Sequence, residues 1–425
     1  MKALAGVAVL IGLAVPLAAQ DSTGVRLGIT YSAGIRPGLI ILPGPGLDSV
    51  RAILQRDLDF SDRFEVVALP AGEAGRGGGG SINYRLYRTL GASYGVEVTG
   101  AGAGIVVRLH DLDAGAVRKE QRATLPIQDS PEFRIAVHQL ADEVVRWITG
   151  LPGIAATRFV FLSDKLVYRV DSDGYNLVPV TRGEEALSPV WAPDGGRVAF
   201  TRFNDGHGSV VIQDLRSGTR STAPGTSTAL NITPSFSPDG QWLAFARVDE
   251  GGTDIFKVNL ASGSAPQRLT AGRFADNLSP TYSPDGRRIA FVSTRAGAPQ
   301  VYVMSADGTD QELLAPFDYG VTGSSNGPEW SPDGASLVFH RDVSRSPQVF
   351  VLDVNSRRVR QLTSSGRNED PTWAPDGRHV AFVSDRSGRR QLWVIDMETG
   401  RIRQVRTPGA VRLPSWSRRI GAAVP

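Results

Sequence analysis

The chain has 425 residues, 41% of them apolar, which is enough for more than one packed core. Its 46 basic and 43 acidic side chains leave a net charge of +3, so there is no basic field of the kind that holds nucleic acid. The absence of cysteine excludes disulfides, thiolate metal sites, cysteine nucleophiles and lipidation of an N-terminal cysteine.

The chain opens on Lys2, an apolar run from Leu4 to Val15, and then Pro16-Leu17-Ala18-Ala19. A charged start, a short apolar stretch and a small-residue exit predict a cleaved secretory signal over residues 1–19. The run is too short to span a bilayer, and no later segment reaches the roughly 18 apolar residues that crossing requires. Residues 20–150 are expected to form a small α/β domain. Val25 to Tyr31 and Leu39 to Leu42 read as strands, and Leu47 to Asp59 reads as a helix with Leu47, Val50, Ile53, Leu54 and Leu58 at helical spacing. Phe64 to Leu69 and Gly95 to Thr99 read as further strands, with a hairpin over Ile105 to Leu112 and Ala116 to Leu125. Pro131 to Thr149 is a helix with Ser130 as its cap, Pro131 in its first turn and Gly150 at its end. The tract Gly75–Gly80 is a surface loop; it lacks the Lys-Ser/Thr that a phosphate cradle needs.

From residue 151 to 425 the chain repeats itself. The phrase Pro-x-aromatic-small occurs six times, with its aromatic at Trp191, Phe236, Tyr282, Trp330, Trp373 and Trp416, 43 to 48 residues apart. Five copies continue into Pro-Asp-Gly, at Asp194, Asp239, Asp285, Asp333 and Asp376, where Pro and Gly suit a type I turn. An apolar triplet follows each turn, such as Val198-Ala-Phe200 or Leu243-Ala-Phe245, then an alternating strand and a polar outer strand. Four short strands per unit make one propeller blade. Arg158 to Val178 looks like a blade without its inner strand, and Leu413 to Ser417 like an inner strand without its blade. Joining them predicts a six-bladed β-propeller closed by the C-terminal strand, with no free sheet edge.

The whole mature chain resembles the TolB family, the periplasmic component of the Tol-Pal envelope system of Gram-negative bacteria. The resemblance rests on the propeller repeats and on four further segments. These are Val25-Arg26-Leu27-Gly28-Ile29 after the signal, Asp57 to Phe64 after the first helix, Ala141 to Val144 with Leu151-Pro-Gly-Ile154, and Asp171-Ser-Asp-Gly-Tyr-Asn176. The chain departs from the family in the glycine tract, in the short hairpin Ser163 to Lys165, and in the tail that opens at Arg418 after the final Trp-Ser. The resemblance implies a periplasmic, non-enzymatic, monomeric adaptor without cofactors, which supports outer-membrane integrity and constriction at division. It also implies two partners. A Pal-type peptidoglycan-associated lipoprotein would dock at one mouth of the propeller. A TolA-type inner-membrane protein would bind the N-terminal segment through Asp21, Val25, Arg26, Leu27 and Ile29.

At the mouth, Asn231, Asn277 and Asn368 each sit three residues before the motif proline, and Asn326 sits two before it. Inner strands that run the same way bring these positions to one end of the channel, away from the Pro-Asp-Gly turns, with Thr233, Ser279, Glu369 and Asp370 beside them. An amide offers donors and an acceptor to an inserted loop; the competing reading is that Asn only starts a turn. Two other envelope roles remain open, a scaffold for a different complex and a carbohydrate-binding or hydrolytic propeller. Gly323-Ser-Ser-Asn-Gly327 matches GxSxG but lacks the strand–elbow–helix context that the pattern requires. The five His make no metal spacing, and Asp171-x-Asp173-Gly174 reads as a hairpin turn because the later ligands of a calcium loop are missing.

Overall fold

The computed structural model describes residues 36–69, 82–102, 104–128, 130–204, 206–272, 275–316 and 323–421. The signal, the strand expected over Val25 to Tyr31 and the glycine tract therefore lie outside the described residues.

The small N-terminal region is one mixed sheet between helices. Strands β1 (Gly38–Ile41), β2 (Glu65–Val66), β3 (Tyr94–Ala101), β4 (Gly104–Asp111) and β5 (Ala116–Ala123) take the order β2-β1-β3-β4-β5. The β1 pairs are parallel and the β3-β4-β5 meander is antiparallel. Successive residues of a strand face opposite ways. Leu39 and Ile41 thus enter the core beneath helices α1 (Asp48–Phe60) and α3 (Pro131–Thr149), while Ile40 and Leu42 pack with Tyr87 on the other face. Tyr87 belongs to helix α2 (Tyr84–Thr89), a six-residue element without apolar periodicity, whose start is fixed by Asn83 Oδ1 accepting from Leu86 N at 3.1 Å. The strand expected over Phe64 to Leu69 shortens to two residues, with Val67 N still bonded to Leu39 O at 2.8 Å. Helix α3 matches its expected bounds. Ser130 Oγ accepts from Phe133 N at 3.1 Å, and Gly150 takes the left-handed φ of 81° that closes the last turn.

The linker after α3 is held from the helix. Asp142 accepts from Ala155 N at 2.7 Å and from Ala156 N at 3.0 Å, and Gly153 passes so close that an added Cβ would lie 2.4 Å from Asp142 Oδ1. Burial lifts the Asp142 carboxyl to about 7.

The remaining strands form a β-propeller built from short antiparallel sheets. Strands Asn277–Tyr282, Ser325–Trp330 and Asn368–Trp373 each begin a four-stranded sheet. Ala186–Trp191 and Leu230–Phe236 begin two more units, which share one sheet through a single parallel bridge between Gly208 and Leu230. Arg412–Trp416 pairs antiparallel with Arg158–Ser163, placing Ser415 opposite Val160 and Trp416 opposite Phe159. The apolar triplets do not alternate with polar residues because the sheets stack face to face and bury both sides. Val198, Ala199, Phe200, Leu243, Ala244 and Phe245 are all fully buried. Every inter-sheet core draws on two neighbouring units. Phe159, Phe161 and Trp416 pack with Ala381, Val383 and Val394, whereas Val160 and Leu162 pack with Trp191 and Phe200.

The Pro-Asp-Gly turns behave as their sequence requires. Gly240 N reaches Ser237 O at 2.9 Å, Gly240 takes a φ of 68°, and Ser237 Oγ both donates to Asp239 and accepts from Trp242 N at 2.9 Å. The hydroxyl bond holds Asp239 below the usual carboxylate range, and Ser283 does the same for Asp285.

Candidate functional site: the propeller mouth and channel

Each inner strand breaks its ladder at the motif proline. The register with the next strand jumps between Leu187 and Val190, Ile232 and Ser235, Leu278 and Thr281, Asn326 and Glu329, Glu369 and Thr372, and Arg412 and Ser415. Proline cannot donate to a ladder, and a bulge is where a sheet tolerates it. The residue before each proline takes the left-handed conformation: Ser188, Thr233, Ser279, Gly327, Asp370 and Leu413 have φ between 48° and 60°. Five of the six are not glycine, and a residue before proline is ordinarily extended, so the strand repeatedly stores strain at this level. Together with the six prolines these residues line a cavity of about 150 Å³ at one end of the axis.

Neighbouring inner strands brace one another here. Thr233 Oγ1 accepts from Ser279 N at 3.2 Å, and Asp370 Oδ2 accepts from Leu413 N at 3.0 Å. Asp370 N donates to His340 Nδ1 at 3.3 Å, which fixes Nδ1 as the unprotonated nitrogen, and burial lowers the His340 pKa accordingly. Glu369 is ion-paired with Arg390 at 2.9 Å. One residue further out the rim divides by character. Leu187, Ile232 and Leu278 are half-buried apolar groups, whereas Asn326, Glu369 and Arg412 make a polar arc.

The asparagine reading is corrected by this geometry. Asn231, Asn277 and Asn368 are fully buried and their amides are engaged within the protein, so they present no donor to an inserted loop. Asn231 Nδ2 donates to Gly208 O, Thr226 O and Ala229 O, each at 2.9 Å, and its Oδ1 accepts from Arg247 Nε at 2.9 Å. Asn277 and Asn368 repeat the pattern, their Oδ1 atoms accepting from Arg295 at 3.1 Å and Arg386 at 2.8 Å. These amides tie the preceding loop to the start of the inner strand, nearer to the turn reading than to the docking one. Asn326 is out of phase with them. The counterpart of the other three asparagines in this copy is Ser325, buried and accepting from Arg341 Nε at 3.0 Å, while Asn326 itself is half-exposed on the rim with Thr233, Ser279, Glu369 and Asp370. Sequence reasoning missed Ser188, Gly327 and Leu413, although all three directly precede a motif proline.

Toward the Pro-Asp-Gly turns the channel widens to about 600 Å³. The central motif residues Val190, Ser235, Thr281, Glu329 and Ser415 line it, Thr372 in the remaining copy is buried, and several of the six grip the next strand. Glu329 Oε1 accepts from Trp373 N at 2.9 Å and Thr372 Oγ1 at 3.1 Å, Thr372 Oγ1 accepts from Trp416 N at 3.2 Å, and Ser415 Oγ accepts from Trp191 N at 3.3 Å. Among the described residues Glu329 is the one carboxylate lining the wide part, and desolvation raises its pKa to about 7.

The remaining sequence candidates fall into place as structure. Ser325 of the GxSxG match lies inside a strand rather than on an elbow. Asp171 binds Arg158 and Asn176, and Asp173 binds Arg56 and Arg134, so the hairpin 171–176 spends its carboxylates on side chains. Asp21, Val25, Arg26, Leu27 and Ile29 lie outside the described residues. Among the described residues two buried clusters, Asp57–His138–Asp173 and Asp62–His379–Asp396, have metal-ligand composition. In both, arginine guanidinium groups occupy the carboxylates, which suits an ion-pair network better than a cation site.

The model of the TolB beta propeller domain matches residues 145–321 and 319–423. The Tol-Pal system protein TolB of Xanthomonas campestris pv. campestris is 29% identical over 240 residues, which cover 52% of this chain and 54% of that protein. The TolB of Xanthomonas euvesicatoria pv. vesicatoria gives the same figures. The chain thus spans about half the length of the curated relatives it matches. The crystal structure of TolB from Acinetobacter baumannii superposes with a TM-score of 0.78 at 24% identity, covering 90% of this chain and 97% of that one, and so shows the shared fold. A family model matched over more than half its residues places the chain in the TolB β-propeller family.

Proposed function

We propose that the protein is a non-enzymatic periplasmic adaptor of the Tol-Pal system, exported by the signal at residues 1–19. In this reading residues 20–150 form the N-terminal domain, and residues 151–425 form a six-bladed propeller closed by strand Arg412–Trp416. The mouth receives a loop of a Pal-type lipoprotein, and the segment Asp21 to Ile29 engages a TolA-type protein. The outcome is support of outer-membrane integrity and of constriction at division. The observation that carries the reading is the strained ring Ser188, Thr233, Ser279, Gly327, Asp370 and Leu413 around an open cavity. Strain held in place by neighbouring hydrogen bonds is a mark of preorganised binding sites. The divided rim suits a loop with an apolar side and a polar side.

The test is isothermal titration of the soluble domain of the matched Pal-type lipoprotein. Ser188→Arg with Ser279→Arg fills the mouth without removing a side-chain hydrogen bond of the ring, so affinity is expected to fall at least tenfold, about 1.4 kcal/mol, with little change in melting temperature. Equal affinity of the doubly substituted and parent proteins would remove the mouth from consideration. The hydrolytic alternative would need a second carboxylate opposite Glu329, and among the described residues the lining of the wide cavity supplies none.

A further inference from the structure

The loop that leaves α1, Asp57 to Phe64, carries more charge than a helix exit requires, and the structure shows where that charge goes. Two histidines, one from each part of the molecule, bridge the N-terminal region and the propeller. His138 on α3 places Nδ1 2.6 Å from Asp57 Oδ2 in its own region and Nε2 3.3 Å from Asp173 Oδ2 of the propeller. His379 of the propeller does the reverse, with Nδ1 2.8 Å from Asp376 Oδ2 beside it and Nε2 3.2 Å from Asp62 Oδ2 of the N-terminal region. Both imidazoles are fully buried. A carboxylate faces each nitrogen of both rings, and a ring that donates from both nitrogens carries two protons and is a cation.

We propose that the two parts are latched together by these buried imidazolium bridges, and that discharging them frees the N-terminal region to move about the linker at residues 150–154. The charges facing each ring are the ones such a latch requires. Around His138 stand Asp57 and Arg56 of α1, Arg134 of α3 itself, and Asp173 of the propeller hairpin, which also accepts from both arginines. Around His379 stand Asp376 and Asp396 of the propeller with Arg378, which donates to Asp396 at 2.5 Å and to Asp62 O at 3.1 Å. From the N-terminal region come Asp59, Asp62 and Arg63. Arg401 of the propeller binds Asp59 at 2.9 Å and Asp62 at 3.0 Å, Arg63 lies 3.8 Å from Asp376, and Arg403 stacks over Phe60 at 4.4 Å. The arrangement is an ionic plug, Asp57 to Arg63, seated at the Pro-Asp-Gly end of the propeller, away from the mouth.

The direction of the pH response follows. The carboxylate partners raise His138 to about 10 and raise His379 as well. A group held above its ordinary value of 6.5 contributes fully below that pH, and the contribution disappears as pH rises through the folded value. The latch therefore holds at neutral pH and loosens in alkali.

Because the chain has no cysteine, cysteines introduced at Lys119 and Arg216, both exposed, can carry two spin labels for a dipolar distance measurement. The parent protein is expected to give one narrow distance distribution from about pH 6 to 8 that broadens near pH 10. His138→Gln with His379→Gln, which keeps a hydrogen-bonding group but no charge, is expected to be broad at about pH 7, with near-ultraviolet dichroism of the propeller tryptophans unchanged. A double variant as narrow as the parent would overturn the proposal. The titration of the labelled parent leaves both histidines in place, so an unstable histidine variant does not spare the proposal: a distribution that stays narrow through about pH 10.5 overturns it, and so does one that narrows only on adding zinc.

Discussion

Replacing Asn231 by aspartate exchanges one amide nitrogen for an oxygen and should damage the propeller severely. The native amide nitrogen sits 2.9 Å from each of three carbonyl oxygens, Gly208, Thr226 and Ala229, in a fully buried site. A carboxylate puts an acceptor where a donor stood, so the hydrogen bonds are lost and oxygens repel one another. The remaining bond from Arg247 Nε offsets part of this because it becomes charge-assisted. With each stranded buried group costing about 1–3 kcal/mol, the net loss is about 3–5 kcal/mol. For a chain of this size that corresponds to a fall in melting temperature on the order of 3–6 °C. The penalty should shrink in acid, because the introduced carboxyl recovers one donor when protonated; burial among carbonyls raises its pKa, so the deficit grows as pH rises. Differential scanning calorimetry at about pH 5 and pH 8 reads both effects. A variant melting within about 1 °C of the parent at pH 8 would refute the assignment of these asparagines to structure.

The other predictions concern separate parts of the molecule. Glu329→Gln should raise stability at pH 8 by about 1–3 kcal/mol in urea melts and change little near pH 4.5. The reason is that Glu329 titrates at about 7 when folded, above its ordinary value, so the parent loses stability on rising through that range; an equal gain at both pH values would contradict it. Asp142→Ala strands the N–H groups of Ala155 and Ala156 and should cost about 2–4 kcal/mol, with faster proteolysis at the linker as the accompanying sign. Trp416→Ala removes a ring tilted against Phe159, with centroids 4.4 Å apart, and a 2.8 Å bond from Nε1 to Thr157 Oγ1. A loss of about 3–5 kcal/mol is expected, and unaltered melting would mean the last strand is not part of the first sheet.

Much of this was legible before any coordinates. The repeat set the spacing of the inner strands because Pro-Asp-Gly and the apolar triplet each have a local physical reason to recur, and the pairing of Leu413 to Ser417 with the strand at Phe161 follows from an incomplete first unit. Helix α3 was readable to the residue because Ser130, Pro131 and Gly150 mark both ends. What escaped depends on contacts that no local pattern carries. Asparagine three before a motif proline looks like a binding group until the loop that folds over it appears. Helix α2 has only Tyr87 to bury, too little for periodicity to reveal. The histidine bridges join residues 81 and 317 positions apart, beyond the reach of any spacing rule.

The pairing of Arg412–Trp416 with Arg158–Ser163 has a bearing on how the chain must be made. Val160 emerges from the ribosome roughly 250 residues before its neighbour Ser415, and joining ends that far apart costs about 5 kcal/mol of chain entropy before any contact is rewarded. Until then three strands of the first sheet wait with an open side, the geometry that invites pairing with another nascent chain. A polypeptide interrupted before residue 412 is therefore expected to self-associate rather than fold, so final assembly belongs to the end of delivery and not to its course.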